Sequence, residues 1–324
     1  MRHTRGAGLM MCCLCAGALA ADPPSNARRP ADDASLKRWL ENMVWHHQFS
    51  DEEVAAATGL TAEEIAAAKS RWNITPDNVP APPADRVFVL PYPGGRHPRI
   101  GFLEGAVDPQ RETKVSVFTP WHDPHSGRAD YVVVDVPEAI WSNLGLTYLA
   151  HTHVPTVWST NGIDLDLLEW QSADGGRLAL GRLLPNGIEF HTTVVPLQDH
   201  VRMSITLTNG TDELLTDLRV QNCVMLKGAQ GFTEQTNTDN VNRLPYVARH
   251  DPSGSKWIIT AWKPAHRAWA NERCPCLHSD PKFEDCPPGE TRRIDGWLSF
   301  YEGTDIESEF DRIDATEWWS SQAY

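Results

Sequence analysis

The sequence predicts a mainly β protein: a large antiparallel β-sandwich over residues 86–303, with a small N-terminal helical appendage and a C-terminal helix. Three observations carry that prediction. Between 86 and 303, short runs rich in Val, Ile and Phe are cut by Gly, Pro and Asp, with almost no helical periodicity between them. Residues 73–85 (NITPDNVPAPPAD) form a Pro-rich stretch that reads as a stiff, extended linker. Ahead of it, residues 35–72 show the three- and four-residue apolar spacing of amphipathic helices. A chain of 324 residues, 41% apolar, is long enough to bury about three quarters of its unfolded surface. The formal charge of −14 argues against a nucleic-acid partner.

In chain order, residues 1–20 read as a signal peptide. Arg2, His3 and Arg5 make a positive start, 7–20 are apolar, and Ala18-Leu19-Ala20 gives the small residues of a cleavage site. The run is too short for a membrane span, so the expected mature chain is exported to the periplasm or beyond and carries no span. Residues 21–34, rich in Pro, Asn, Ala and Asp, are expected to be disordered. Three helices are expected over 35–72: Leu36, Trp39, Leu40, Met43, Val44 and His47 share one face, Ser50 with Glu53 and Thr61 with Glu64 make capping boxes, and Gly59 separates the last two helices. This outline resembles a helix-turn-helix, but Glu63 and Glu64 open the last helix where a DNA reader meets phosphate. The expected role is docking, on the sandwich or on a protein partner.

Strands are expected at 86–90, 113–119, 131–136, 187–195, 200–208, 214–226, 256–262 and 291–301. The clearest is 200–208, with Val201, Met203, Ile205 and Leu207 on one face and Arg202, Ser204, Thr206 and Thr208 on the other. Asn209-Gly210 is expected to turn it back into 214–226 as a hairpin. A helix within 304–324, capped by Thr304 and Glu307, carries Ile306, Phe310 and Ile313 on one face.

Several constellations could carry chemistry. His151 and His153 are two apart in an apolar run, which in a strand aims both imidazoles to one side. With His122 and His125 from the turn Trp121–His125 they make a candidate divalent-metal set; the sequence names no other cofactor. Glu189 and His191 share a strand face and join His151 and His153 as candidate acid/base groups; Glu169 and His266 are further candidates. Whether any chemistry occurs is left open by the spacing. Trp121, Trp158, Trp262 and Trp269, with His266 and the polar loop residues Gln235 and Asn237, are candidates for stacking on and bonding to a carbohydrate. Cys274, Cys276, His278 and Cys286 have the ligand types of a Cys3His zinc site. In an exported chain the four cysteines left after signal removal favour disulfides instead, Cys286 with Cys274 or Cys276 and Cys223 with the other.

Residues 199–232 carry a family resemblance. A strand, Asn209-Gly210-Thr211-Asp212, a second strand, Asn222-Cys223-Val224-Met225-Leu226 and a Gly-rich polar loop are similar to the middle of galactose-mutarotase-like supersandwich domains, which occur in aldose epimerases, glycosidases and polysaccharide lyases. The likeness covers about a tenth of the chain and implies a concave, sugar-binding sheet face. It departs at the position after Asn222, where the epimerases place a sugar-contacting histidine and this chain has Cys223; simple aldose mutarotation is therefore not expected. As a whole the chain resembles a family of exported bacterial proteins. The expected function is an exported carbohydrate-binding or carbohydrate-processing protein of the hydrolase, lyase or epimerase kind. The alternatives are a non-catalytic envelope binding or structural module, and a metal-dependent enzyme built on the two histidine clusters.

Overall fold

A computed structural model describes residues 27–98, 112–122, 128–150, 154–234, 239–271 and 274–320. Residues 1–20, expected from the sequence to be a signal peptide, lie outside them. Four α-helices are described: α1 (Asp33–Leu40), α2 (Asp51–Thr58), α3 (Ala62–Trp72) and α4 (Ile306–Asp314). The strands are β1 (Val89–Pro91), β2 (Lys114–Phe118), β3 (Tyr131–Ser142), β4 (Gly145–Leu149), β5 (Gln171–Ser172), β6 (Leu178–Leu183), β7 (Ile188–Pro196), β8 (His200–Asn209), β9 (Arg219–Met225), β10 (Asn240–Arg243), β11 (Tyr246–His250), β12 (Lys256–Lys263), β13 (Ala265–Ala270), β14 (Cys276–Pro281) and β15 (Thr291–Glu302).

Two antiparallel sheets face each other. The first has the order β1-β2-β3-β9-β14-β13, with β4 also on β3; the second runs β10-β11-β12-β15-β8-β7-β6-β5. Period-two alternation fills the space between them. Val201, Met203, Ile205 and Leu207 of β8 bury against Val115, Val117, Val132, Val134 and Val224 of the first sheet. Asn209-Gly210 does not make the expected hairpin, because β8 and β9 belong to different sheets. Asn209 is buried, and its amide donates to Glu213 O and Cys286 O while its Oδ1 accepts from Thr211. That fixes a crossing between layers in place of a two-residue return. Pro137 sits within β3 and has no N–H for the ladder, and the register to β9 shifts between Asp135 and Ala139.

The outer face of the second sheet is covered by α4, whose Ile306, Phe310 and Ile313 pack on Tyr246, Trp257, Ile259 and Trp297. The cap of α4 is Asp305, accepting from Ser308 N, rather than Thr304. The outer face of the first sheet meets the appendage, which has an apolar core of its own around Leu40, Met43, Val44, Val54 and Ile65. Both capping boxes form, and Gly59 closes α2 in the left-handed region at φ 67°. Between α1 and α2, Glu41–His46 winds as a π-helix. The appendage docks on the sandwich: Arg96 pairs both carboxylate oxygens of Glu53 at 2.6 and 2.8 Å, and His47 Nε2 lies 2.7 Å from Ser116 Oγ on β2. Residues 27–32, expected to be disordered, are held as well. Arg28 N bonds Ala57 O, its guanidinium donates to Leu168 O at 2.7 Å, and Asp32 caps α1. Among the described residues no helix is long and apolar enough to cross a membrane.

Candidate functional site

A cavity of about 420 Å³ lies between the segment entering β1, the end of β2 and Gln198, Asp199 and Phe300; another of about 520 Å³ borders the first sheet beside the appendage. The larger lies in the seam between appendage and sandwich. One wall comes from α1 and the π-helix, and the other from β1 and the segment entering β5. A π turn is wider than an α turn and re-aims the side chains it carries; here His47 N bonds Asn42 O, five residues back. The turn brings Glu41, Asn42 and His46 to the cavity, opposite Glu169, Trp170 and Ser172, with Trp39, Arg28 and Arg38 beside them.

The chemistry of this lining is mixed. Arg28 Nη1 lies 3.4 Å from Glu169 Oε1. Asn42 donates through Nδ2 to Pro91 O at 2.9 Å, while among the described residues no donor reaches its buried Oδ1. The Trp170 indole donates to Lys114 O at 3.1 Å, tying the wall to β2. Burial, with the imidazole of His122 adding to it, pushes the His46 pKa down to about 4, so the ring is neutral at pH 7. His47 is also held well below the ordinary value, chiefly by burial.

Behind the seam, the outer face of the first sheet carries buried charge. Lys114 Nζ and Asp135 Oδ2 stand 3.3 Å apart with both side chains fully buried. Further along, Glu138 accepts from Gln221 Nε2 at 2.8 Å and lies 3.8 Å from His278 Nδ1. His278 stacks on Trp269 at 4.0 Å between ring centres, and the Trp269 indole donates to Asp280 Oδ2 at 2.7 Å. Cys223, Cys274 and Cys276 are buried around the same imidazole. Burial opposes its protonation, but Cys223 and the carboxylates of Glu138 and Asp280 outweigh that and lift its pKa to about 9.

The sequence-derived candidates scatter. His125, His151, His153, Gln235 and Asn237 lie outside the described residues. His122 borders the 420 Å³ cavity, and its Nδ1 accepts from Asp130 N at 3.2 Å. Glu189 and His191 pair at 2.9 Å, on the solvent side of β7 rather than in a cavity. Trp262 is a core residue, 1% exposed, which removes it from any ligand surface. Trp158 packs against the core and donates to Thr147 O at 2.7 Å. Trp121 stacks on Phe232, with Lys256 Nζ 5.0 Å above its ring. His266 is exposed on edge strand β13. Trp269 alone among these tryptophans sits in a cluster of reactive groups.

The structure shows none of the expected disulfides: among the described residues no two cysteines stand at bonding distance, and Cys223, Cys274, Cys276 and Cys286 are all buried. Cys286 packs in the core between the sheets and donates to Glu290 O, whereas Cys223, Cys274 and Cys276 are on the opposite, outer face of the first sheet. The sheet itself separates them. Sequence reading missed Glu41, Asn42, His46, Lys114, Asp135 and Glu138 as site residues. Pro137 inside an apolar strand and a lysine, Lys114, opening one were the available signals.

No family model and no curated protein matches this chain. Solved structures similar to it include the Slr1438 protein from Synechocystis sp. PCC 6803, at 11% identity and a TM-score of 0.33 over 69% of this chain and 97% of that one. A putative aldose 1-epimerase from Escherichia coli K12 has 14% identity and a TM-score of 0.33, over 57% and 89%. A heparan sulfate lyase mutant from Pedobacter heparinus has 8% identity and a TM-score of 0.27, over 42% and 22%. Likeness at this level assigns no activity.

Proposed function

We propose that the protein is an exported carbohydrate-binding protein whose ligand occupies the seam between the helical appendage and the sandwich. The observation that carries this reading is the lining of the 520 Å³ cavity: Trp39 and Trp170 beside Glu41, Glu169 and Arg38, with the unpartnered Oδ1 of Asn42. A pocket of this size at a junction of two units, lined by aromatic rings and a few convergent polar groups, is the usual form of a small-ligand site. Sugar hydroxyls supply both donors and acceptors, which suits two carboxylates, an orphan amide oxygen and guanidinium groups. Glu41 and Glu169 are also the carboxylates to which hydrolysis would be assigned, one as acid and one as base. Export rests on the charged start and apolar run of residues 1–20.

The test is a glycan array followed by calorimetry with the best binder. Binding is expected to weaken at least tenfold in Glu169→Gln at unchanged melting temperature, and in Asn42→Ala with a lower melting temperature from the lost bond to Pro91 O. Sugar-release assays on the same ligand separate an enzyme from a binding module. An array without binders, or affinity indifferent to both substitutions, would sink the assignment.

A further inference from the structure

The thiol–imidazole cluster lies away from the cavity and takes no part in the proposed binding. We propose that Cys223, Cys276 and His278 hold a zinc ion, with Cys274 as the fourth ligand. Two neighbouring strands set the three residues. Cys276 and His278 are i and i+2 on β14, so both point outward. β14 pairs with β9 through Cys276 opposite Met225 and Leu277 opposite Val224, and one further step along that register puts His278 beside Cys223. Cys274 stands in the turn that enters β14, where its carbonyl accepts from Cys276 N at 2.8 Å.

The ligand atoms of Cys223, Cys276 and His278 all lie within 4.8 Å of one another. Cys276 Sγ is 3.3 Å from His278 Nε2, and Cys274 Sγ is 3.1 Å from Cys276 Sγ. Tetrahedral zinc, with Zn–S about 2.3 Å and Zn–N about 2.0–2.1 Å, places sulfur about 3.5 Å from nitrogen and about 3.8 Å from sulfur. The Cys276–His278 contact needs a shift of about 0.2 Å, whereas Cys274, which lies outside the 4.8 Å group, must open its contact with Cys276 by about 0.7 Å and turn its side chain towards the ion.

The imidazole is oriented for ligation. Its Nδ1 lies 2.9 Å from the carbonyl of Asn222, which can only accept, so Nδ1 carries a hydrogen and Nε2 faces the sulfurs, where a metal ion would displace its proton. A metal-bound histidine usually gives its second N–H to a carbonyl or carboxylate in this way. The Glu138 carboxylate at 3.8 Å from Nδ1 adds to the same side. The four side chains belong to residues at most 2% exposed, and Trp269 covers the ring. Two or three thiolates with one imidazole select a soft or borderline ion over calcium or magnesium, and a closed tetrahedral set is the form of structural zinc. Its effect here is to cross-link β9, β14 and the turn before β14 on the face that carries Trp269.

The full chain, purified under reducing conditions without chelator, is expected to contain one zinc per molecule by elemental analysis. Cobalt replacement is expected to give a near-ultraviolet thiolate charge-transfer band and strong visible bands of a tetrahedral site. Chelation should lower the melting temperature, and added zinc should restore it. Cys276→Ser and His278→Gln should lose the metal, while Cys286→Ser keeps it. Because the first two side chains are buried and their substitution can itself unfold the chain, the cobalt spectrum of the unaltered chain is decisive by itself. Less than a tenth of an equivalent after reconstitution, a weak cobalt spectrum without sulfur bands, or a Cys223–Cys276 disulfide in peptide maps of the reduced-handled protein would overturn the proposal.

Discussion

The outer faces of the two sheets are both covered, by opposite chemistry. On the second sheet, α4 lays Ile306, Phe310 and Ile313 on Tyr246, Trp257, Ile259 and Trp297. The cover is largely apolar, though it includes buried Arg202, 5.8 Å from the Trp318 ring centre, and Glu309 of α4, paired with Arg312 at 2.7 Å; the charged pair Glu189–His191 stands off in solvent. On the first sheet, Lys114 and Asp135 are fully buried, and His278 and three cysteines follow along the same face. Burying charge is costly unless each group finds a partner. A face closed by apolar packing needs no further explanation than stability, whereas a face that keeps buried charge, thiols and imidazoles directs attention to ligands.

Substitution breaks the comparison most sharply at the buried pair. Lys114→Met removes the ammonium 3.3 Å from the buried Asp135 carboxylate and is expected to cost about 3–5 kcal/mol in denaturant melts. Adding Asp135→Leu should recover most of that loss. A single-variant cost under about 1 kcal/mol would mean that this face behaves like the other one.

Acid should come next. His46 is held at about 4 and His47 well below 6.5, so both are neutral in the folded protein. The unfolded chain takes up these protons near pH 6.5, hence binds more of them as pH falls, and stability should drop over the window from 6.5 to about 4. For His46 the shift corresponds to about 3 kcal/mol. Arg96 and His122 also face this pair, which adds to the cost of charging it. Melting curves across that window, with His47→Gln flattening the slope, check the sign; a stability that rises on acidification would contradict it.

On the other face the expected effects are smaller and purely structural. Ile313→Val should lower stability by about 1 kcal/mol through lost packing and leave glycan and metal binding unchanged. Glu189→Gln should give no resolvable change in melting temperature or in ligand binding, because both members of that pair are exposed. A loss of binding in either variant would move the site to the second sheet.

The features legible from consecutive residues are local. The Ser50–Glu53 and Thr61–Glu64 boxes are spaced three residues apart, and the hydrogen bonds that define them close within one turn. The alternation of β8 is likewise written in consecutive residues, and it gave the sandwich class and the buried set Val201, Met203, Ile205 and Leu207. Which sulfur meets which depends on strand pairing between distant segments. Cys286 is ten residues from Cys276 and Cys223 is fifty-three, yet Cys223 is the neighbour, because strand pairing between β9 and β14 sets the approach and the sheet stands between Cys276 and Cys286. The same holds for Asn209-Gly210. Its dipeptide reads as a hairpin, but side-chain bonds to Glu213 and Cys286 carry the chain into the other sheet. The seam cavity is non-local too: Glu41 and Asn42 reach Glu169 and Trp170 only after the appendage has docked, through Arg96–Glu53 and His47–Ser116 contacts that no spacing in the sequence announces.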